Sequence, residues 1–377
     1  MKKILILYST GGMGHKKAAV AILKAFQKKA GGDIEVKNID TLDYGNSFYR
    51  FLYINFYVFM MTRGRWLWGI LYHLSNNRIA DSMLRRVRQS LDLKNLIGFE
   101  DMLLKERPDA IVTTHFILPG IAGAIKRYKD FDPRLYVVIT DYGPHSFWLS
   151  DHIDKFFIGA EAVLPELVKR GIPEEKVAVT GIPTVEEFSR EFDVDELRRT
   201  YGLDAGKSTI FILSGGFGVG PLESILLSLC SCRPDIQVMI VCGHNKRAFD
   251  NISLLKEKLN YPVKLFGFTD KVPELMAASD LMITKAGGIS VTEALNMRLP
   301  MILFESIPGQ ETWNEELLLR AGAAERAGSM KEIPDLVNRL LLSAEAYNSV
   351  KAGIDKIRRP RAAETIVDVV LKELGEV

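Results

Sequence analysis

Twice in this chain a short, unbroken apolar run ends in a cluster of glycines and passes directly into a helical pattern. Residues 4–8 (ILILY) lead into Gly11-Gly12-Met13-Gly14, and residues 209–213 (TIFIL) lead into Ser214-Gly215-Gly216-Phe217-Gly218-Val219-Gly220. An apolar run without polar alternation suits a strand covered on both faces, the condition of a parallel sheet flanked by helices. Glycines at the strand end let the backbone turn and approach a ligand, and the following helix offers N–H groups to an anion. Two such openings, about two hundred positions apart in a chain of 377 residues, predict two similar domains.

The intervening sequence keeps the same rhythm. Residues 34–39, 109–114, 135–140, 156–159 and 177–180 read as further strands of the first domain, with 109–114 and 135–140 buried. Residues 238–242, 263–266, 281–284 and 301–304 read as those of the second. Between them lie helical patterns, such as Ala18, Ala19, Ile22, Leu23 and Phe26 on one face. Strands alternating with helices predict an α/β fold with parallel sheets. Proline, glycine and charge cluster from Gly181-Ile182-Pro183 to Gly202, which sets the expected domains at 1–185 and 186–377. An amphipathic pattern over 361–374 is a candidate to fold back across that junction.

Composition narrows the function classes. A net charge of +2 gives no field for a polyanion, so nucleic acid is not an expected partner. Cys230, Cys232 and Cys242 make neither a disulfide framework nor a zinc set, and they point to a reducing compartment. Met1-Lys2-Lys3 and the apolar residues after it imitate an export signal, but the run is too short and leads into a glycine loop. No stretch reaches the roughly 20 apolar residues that span a bilayer.

The first glycine cluster ends in His15, at the start of a helix. The positive end of a helix disfavours imidazolium, so His15 is expected to be neutral and able to act as a general base near pH 7. The competing reading is a polar residue that caps the helix. A dinucleotide fingerprint counted from Gly12 and Gly14 requires glycine at position 17, where Lys17 stands, which argues against a nicotinamide cofactor. Asp141 and His145 follow one strand and His115 another, at the sheet edge where ligands bind in open α/β folds. His244, after Cys242-Gly243, occupies a similar strand-end loop.

In the second half, Gly287-Gly288 joins a strand to a helix whose first turn holds Ser290, an anion site suited to a pyrophosphate. Glu293, one turn further on, can accept hydrogen bonds from a ribose diol; its plainer role is to complement the helix dipole. Asp193-Val194-Asp195 imitates the acidic triplet of metal-dependent transferases, but it precedes a helical pattern and reads as a cap. No metal site is expected.

One segment breaks the rhythm. Residues 44–75 are dense in aromatics, and from 46 to 90 Arg50, Arg63, Arg65, Arg78, Arg85, Arg86 and Arg88 face only Asp81. Phe51, Leu52, Phe56, Phe59 and Met60 exceed what a solvated helix needs. With Trp66, Trp68, Arg63 and Arg65 they predict an interfacial element on an anionic membrane surface, against the alternative of a core helix with surface arginines.

Taken in order, Gly12-Met13-Gly14-His15, Thr140-Asp141 with Trp148, Thr180-Gly181-Ile182-Pro183, Val241-Cys242-Gly243, Thr284-Lys285-Ala286-Gly287-Gly288, Thr292-Glu293-Ala294 and Pro308-Gly309-Gln310-Glu311 span nearly the whole chain. In these motifs it resembles the monogalactosyldiacylglycerol synthase and processive diacylglycerol glucosyltransferase group of glycosyltransferase family 28. The resemblance implies an α/β, GT-B architecture, with two Rossmann-like domains whose parallel sheets face one cleft. It implies inverting, metal-independent transfer of glucose or galactose from a UDP-sugar to diacylglycerol or a related lipid. The enzyme would be peripheral, on the cytoplasmic face of the membrane.

By the same resemblance, the donor would meet Gly216, the backbone near Phe268, Gly287, Gly288 and Ser290, with Glu293 on the ribose and Gln310 and Glu311 on the sugar. His15 would be the base, with Asp141 as a second catalytic candidate, and the acceptor and membrane would meet Phe51, Phe56, Arg63, Arg65, Trp66 and Trp68. No cofactor is implied, because the UDP-sugar is a substrate. Two other functions use parts of the same pattern: a UDP-sugar epimerase, which needs no aromatic basic segment, and a non-catalytic membrane-surface binding module, which needs no His15.

Overall fold

The computed structural model describes residues 1–375 except 11, 30–31, 33, 63, 77–96, 117, 129–131, 151, 217, 219 and 234. Arg63, Arg78, Asp81, Arg85, Arg86 and Arg88 of the basic segment therefore lie outside the described residues.

The chain divides into two compact units. One contains Met1–Glu186, Pro308–Trp313 and Arg359–Val377; the other contains Glu187–Ile307 and Asn314–Arg358. The first boundary falls one residue after the one expected. Gln310 and Glu311 group with the N-terminal unit, outside the division at 185, and so does the last helix, the segment read as a candidate to fold back.

In the first unit, β1 (Lys2–Tyr8), β2 (Ile34–Asp40), β3 (Ala110–Thr113), β4 (Arg134–Val138), β5 (Lys155–Ile158) and β6 (Val177–Val179) form one parallel sheet in the order β2-β1-β3-β4-β5-β6. Its helices are α1 (Met13–Lys29), α2 (Ser47–Thr62), α3 (Arg65–Ser75), α4 (Ile97–Glu106), α5 (Leu118–Tyr128) and α6 (Leu164–Lys169).

The second unit has β7 (Ser208–Leu213), β8 (Ile236–Val241), β9 (Val263–Phe266), β10 (Leu281–Thr284), β11 (Met301–Leu303) and β12 (Glu325–Arg326), also parallel, in the order β12-β11-β10-β7-β8-β9. Here α7 (Val194–Thr200) is capped by Asp193, whose side chain accepts from Glu196 N, so the acidic triplet serves as a helix cap. The remaining helices of this unit are α8 (Leu222–Leu229), α9 (Lys246–Leu255), α10 (Val272–Ala277), α11 (Gly288–Asn296), α13 (Ile333–Leu342) and α14 (Ala344–Ile357), with α12 (Gln310–Ala321) beginning in the 308–313 segment of the first unit and α15 (Ala362–Glu373) belonging to the first unit.

Both faces of the first sheet are covered. Leu5, Leu7, Ile111, Val137 and Phe156 pack on one side with Phe99 and Leu103 of α4. Ile4, Ile6, Val112, Tyr136 and Phe157 pack on the other with Ile22 and Phe26 of α1 and with Ile366, Val367 and Val370 of α15. That two-sided cover is why the strands read as unbroken apolar runs. Helix α15 is thus a structural part of the N-terminal core, tied further by Tyr136 Oη donating to Glu373 Oε2 at 3.0 Å.

Strand order also fixes where ligands can bind. In the first sheet the chain leaves β1 toward β2 on one side, while β3 lies on the other. In the second it leaves β7 toward β8, while β10 lies opposite. Where successive connections diverge, the strand ends open a crevice. His15 follows β1 and His115 follows β3; the 214–220 loop follows β7 and Gly287 follows β10. The candidate residues therefore stand at the switch point of each sheet.

Candidate functional site

In the N-terminal unit, the ends of β1, β3 and β4 gather around His15, in the first turn of α1. Its Nδ1 lies 2.6 Å from Thr114 O and 3.2 Å from Thr140 Oγ1. A carbonyl oxygen can only accept, so Nδ1 carries the proton and Nε2 keeps a basic lone pair. Thr114 Oγ1 donates back to His15 O at 2.9 Å, and Thr114 N donates to Leu7 O at 3.0 Å, which locks the β3 end to the α1 start. The half-buried ring also meets His115 edge-on at 4.5 Å, with Phe116 and Trp148 each at 6.1 Å. Burial in this shell pushes its pKa down to about 4, opposed in part by the bond to the Thr114 carbonyl. The first turn of α1 contains no acid to offset the helix dipole. His15 is thus neutral at pH 7 and is a hydrogen-bonded member of a cluster.

His115 is buried and held well below the usual histidine range by its burial and by His15. His145 belongs elsewhere: its Nδ1 accepts from Phe147 N at 3.1 Å and its Nε2 meets Tyr72 O at 3.0 Å. Asp141 is buried, and its Oδ2 accepts from Gln310 Nε2 at 2.8 Å. That bond brings together two residues assigned on sequence to different domains. The 308–313 segment is seated on the same unit: Gly309 takes a left-handed φ of 93°, and a Cβ there would lie 2.8 Å from the Tyr72 ring. Glu311 is buried and Gln310 half-buried.

In the C-terminal unit, Gly287 caps α11, whose first turn contains no acidic side chain. The turn holds Gly288 and the half-buried Ser290, and Glu293 follows at 1% exposure. The loop before it is held at both ends: Thr284 Oγ1 donates to Leu213 O at 2.8 Å, and Asn314 Nδ2 donates to Ala286 O at 2.8 Å. The loop after β7 interlocks with the one after β8. His244 N donates to Gly216 O at 3.1 Å, and Gly218 and Gly243, both left-handed, press against Cys242 O and Gly216 O where no Cβ fits. Phe217 and Val219 lie outside the described residues. Beside this loop, Phe268 is 56% exposed and stacks on His244 at 4.3 Å with 15° between the rings. The arrangement offers a helix N-terminus to an anion and an aromatic surface within one unit.

The aromatic segment forms α2 and α3. Nine of the sixteen exposed large apolar side chains among the described residues lie on these two helices. Phe48, Phe51, Leu52, Phe56 and Phe59 follow helical spacing on α2, and Trp66, Ile70 and Leu74 do so on α3. Phe51 is 67% exposed and Trp66 68%. Two expected members depart from this face: Met60 is buried and Trp68 is half-buried, because they point toward the unit. Arg65 begins α3.

Sequence reasoning did not single out Thr114, Tyr53 or Asn314. Tyr53 Oη lies 3.1 Å from His115 Nε2 in a hydrogen bond. The strand-end positions of Thr114 and Thr140 were the available signal, since neighbouring parallel strands bring such residues together.

Residues 15–184 match the family model for monogalactosyldiacylglycerol (MGDG) synthase, and residues 209–335 match that for the glycosyltransferase family 28 C-terminal domain. The chain is 29% identical to a processive diacylglycerol beta-glucosyltransferase of Bacillus cereus (strain AH187), over 98% of this chain and 94% of that one. Among solved structures, MurG of Acinetobacter baumannii superposes with a TM-score of 0.61 at 15% identity, covering 99% of this chain and 100% of the other. The UDP-GlcNAc 2-epimerase of Neisseria meningitidis, bound to UDP-GlcNAc, does so with a TM-score of 0.59 at 16% identity, covering 98% and 100%. These likenesses show the GT-B fold. With both halves matched in order by their family models, the chain belongs to the monogalactosyldiacylglycerol synthase and processive diacylglycerol glucosyltransferase group of glycosyltransferase family 28, a family of glycolipid glycosyltransferases.

Proposed function

We propose that this glycosyltransferase moves a hexose, glucose or galactose, from a UDP-sugar onto the hydroxyl of diacylglycerol or a related lipid. Transfer proceeds with inversion and without a metal, at the cytoplasmic surface of the membrane. The observation that carries this reading is the tautomer of His15: Nδ1 is committed to the Thr114 carbonyl, which leaves Nε2 to take a proton.

In the proposed step, His15 Nε2 takes the acceptor hydroxyl's proton as that oxygen bonds to the anomeric carbon. The bond from that carbon to the β-phosphate oxygen breaks, and UDP departs with the electron pair. An α-linked nucleotide sugar that yields a β-glycoside must invert, and the Bacillus relative's name specifies a beta-glucosyltransferase. The N-terminus of α11 supplies N–H groups and a positive dipole end for the diphosphate leaving group, which is the work a metal does elsewhere. The UDP-sugar in the epimerase structure supports the choice of donor.

The same fold serves an epimerase, but that reaction leaves the apolar face of α2 and α3 unexplained, whereas a lipid acceptor accounts for it. The test is a panel of radiolabelled UDP-sugars with mixed lipid acceptors, read by chromatography. Label appearing in a lipid product supports transfer; label confined to interconverted nucleotide sugars would overturn it.

A further inference from the structure

We propose that His115 is a positioning residue for His15 and that Tyr53 ties it to α2, so that seating α2 on a bilayer sets the base in its working orientation. The inference rests on the proposed roles of His15 as base and of α2 as a membrane face. Helix α2 has two functional sides: Phe51, Leu52 and Phe56 are exposed, while Tyr53 turns inward to bond His115 Nε2 at 3.1 Å. The His115 ring stacks on Phe116 at 4.4 Å and meets the His15 ring edge-on at 4.5 Å. Its backbone N–H donates to Thr113 Oγ1 at 3.2 Å. Its chain neighbour Thr114 supplies the carbonyl that fixes the His15 tautomer.

One short strand end therefore supports the base twice, through a ring and through a carbonyl, and Tyr53 fastens that strand end to the membrane-facing helix. A helix lying in the headgroup region acquires a fixed depth and roll from its apolar face. Through Tyr53, that roll acts on His115 and so on the direction of His15 Nε2. His115 does not itself exchange the acceptor's proton in this scheme, because its Nε2 is engaged by Tyr53.

The test measures kcat at saturating short-chain diacylglycerol, with and without acceptor-free phosphatidylglycerol vesicles, for the full chain and for Tyr53→Phe and His15→Ala. Vesicles should raise the wild-type kcat. Tyr53→Phe should sediment with vesicles and bind UDP as wild type does, yet its kcat with vesicles should fall roughly tenfold, the scale of one lost hydrogen bond, with donor KM unchanged. The His15 ring nitrogen shifts, read by NMR, should also move in Tyr53→Phe. A wild-type kcat indifferent to vesicles, a Tyr53→Phe kcat that rises as wild type's does, or unmoved His15 shifts would each overturn the coupling. His15→Ala separates the two layers: if it is inactive while Tyr53→Phe responds normally, the base stands and only the coupling fails. If His15→Ala turns over normally, the base reading fails and the coupling falls with it.

Discussion

At the scale of single residues, the proposed chemistry turns on how one imidazole is held. Replacing His15 with alanine should remove most turnover, about 10²–10⁴-fold for a general base, while UDP affinity stays near wild type. Initial rates and UDP titration on one preparation measure both. The pH dependence follows from the same burial. Because burial lowers the His15 pKa to about 4, the proposed base is deprotonated throughout the range above it. The acid limb of kcat/KM should therefore fall near pH 4, and a limb centred near 6.5 would show that burial does not depress the His15 imidazole in the working enzyme. In the C-terminal unit, Glu293→Gln should weaken UDP binding roughly tenfold to a hundredfold, the cost of a hydrogen bond to a charged group, with the fold retained. Unchanged affinity by calorimetry would remove Glu293 from the donor site.

At the scale of elements, α2 and α3 present an apolar face that a water-exposed helix pair does not need. Phe51→Ser combined with Phe56→Ser should release the protein from anionic vesicles, since each buried Phe contributes about 1.5–3 kcal/mol. Added salt should weaken whatever part the arginines supply. Sedimentation unchanged by both treatments would rule out the interfacial reading.

This element also marks the limit of what the sequence made legible. The central strands were readable because they are apolar throughout, and His15 because it ends a glycine loop; β12, only Glu325–Arg326, carries no apolar run and was not read. The outward turn of Phe51 and the inward turn of Met60 were not, because an aromatic helix with apolar residues on every side has no periodicity to orient it. Thr114 was hidden for another reason. It holds the His15 ring through its carbonyl, a group every residue carries, and its hydroxyl reaches only the His15 backbone carbonyl, so its identity gave little signal. The pairing of Asp141 with Gln310 joins positions far apart in sequence, and single-residue patterns do not encode such distances.

At the scale of the whole molecule, activity should persist in a chelator, because the proposed leaving-group stabilisation comes from backbone N–H groups. Activity abolished by chelation and restored by magnesium would contradict this. Helix α15 carries a second expectation. Ile366 is fully buried against β1 and its neighbours, so Ile366→Ala should cost about 2–5 kcal/mol and lower the thermal midpoint of the N-terminal unit. The same helix inverts the order of biogenesis. During translation the first sheet emerges early, yet the face that holds Ile4, Ile6, Val112 and Tyr136 is covered only in part by α1 and is completed when α15 follows the entire second unit. Domains usually mature in the order they are made. Here the later-made unit can finish first, and the last helix of the chain then closes the apolar face of the earlier-made sheet.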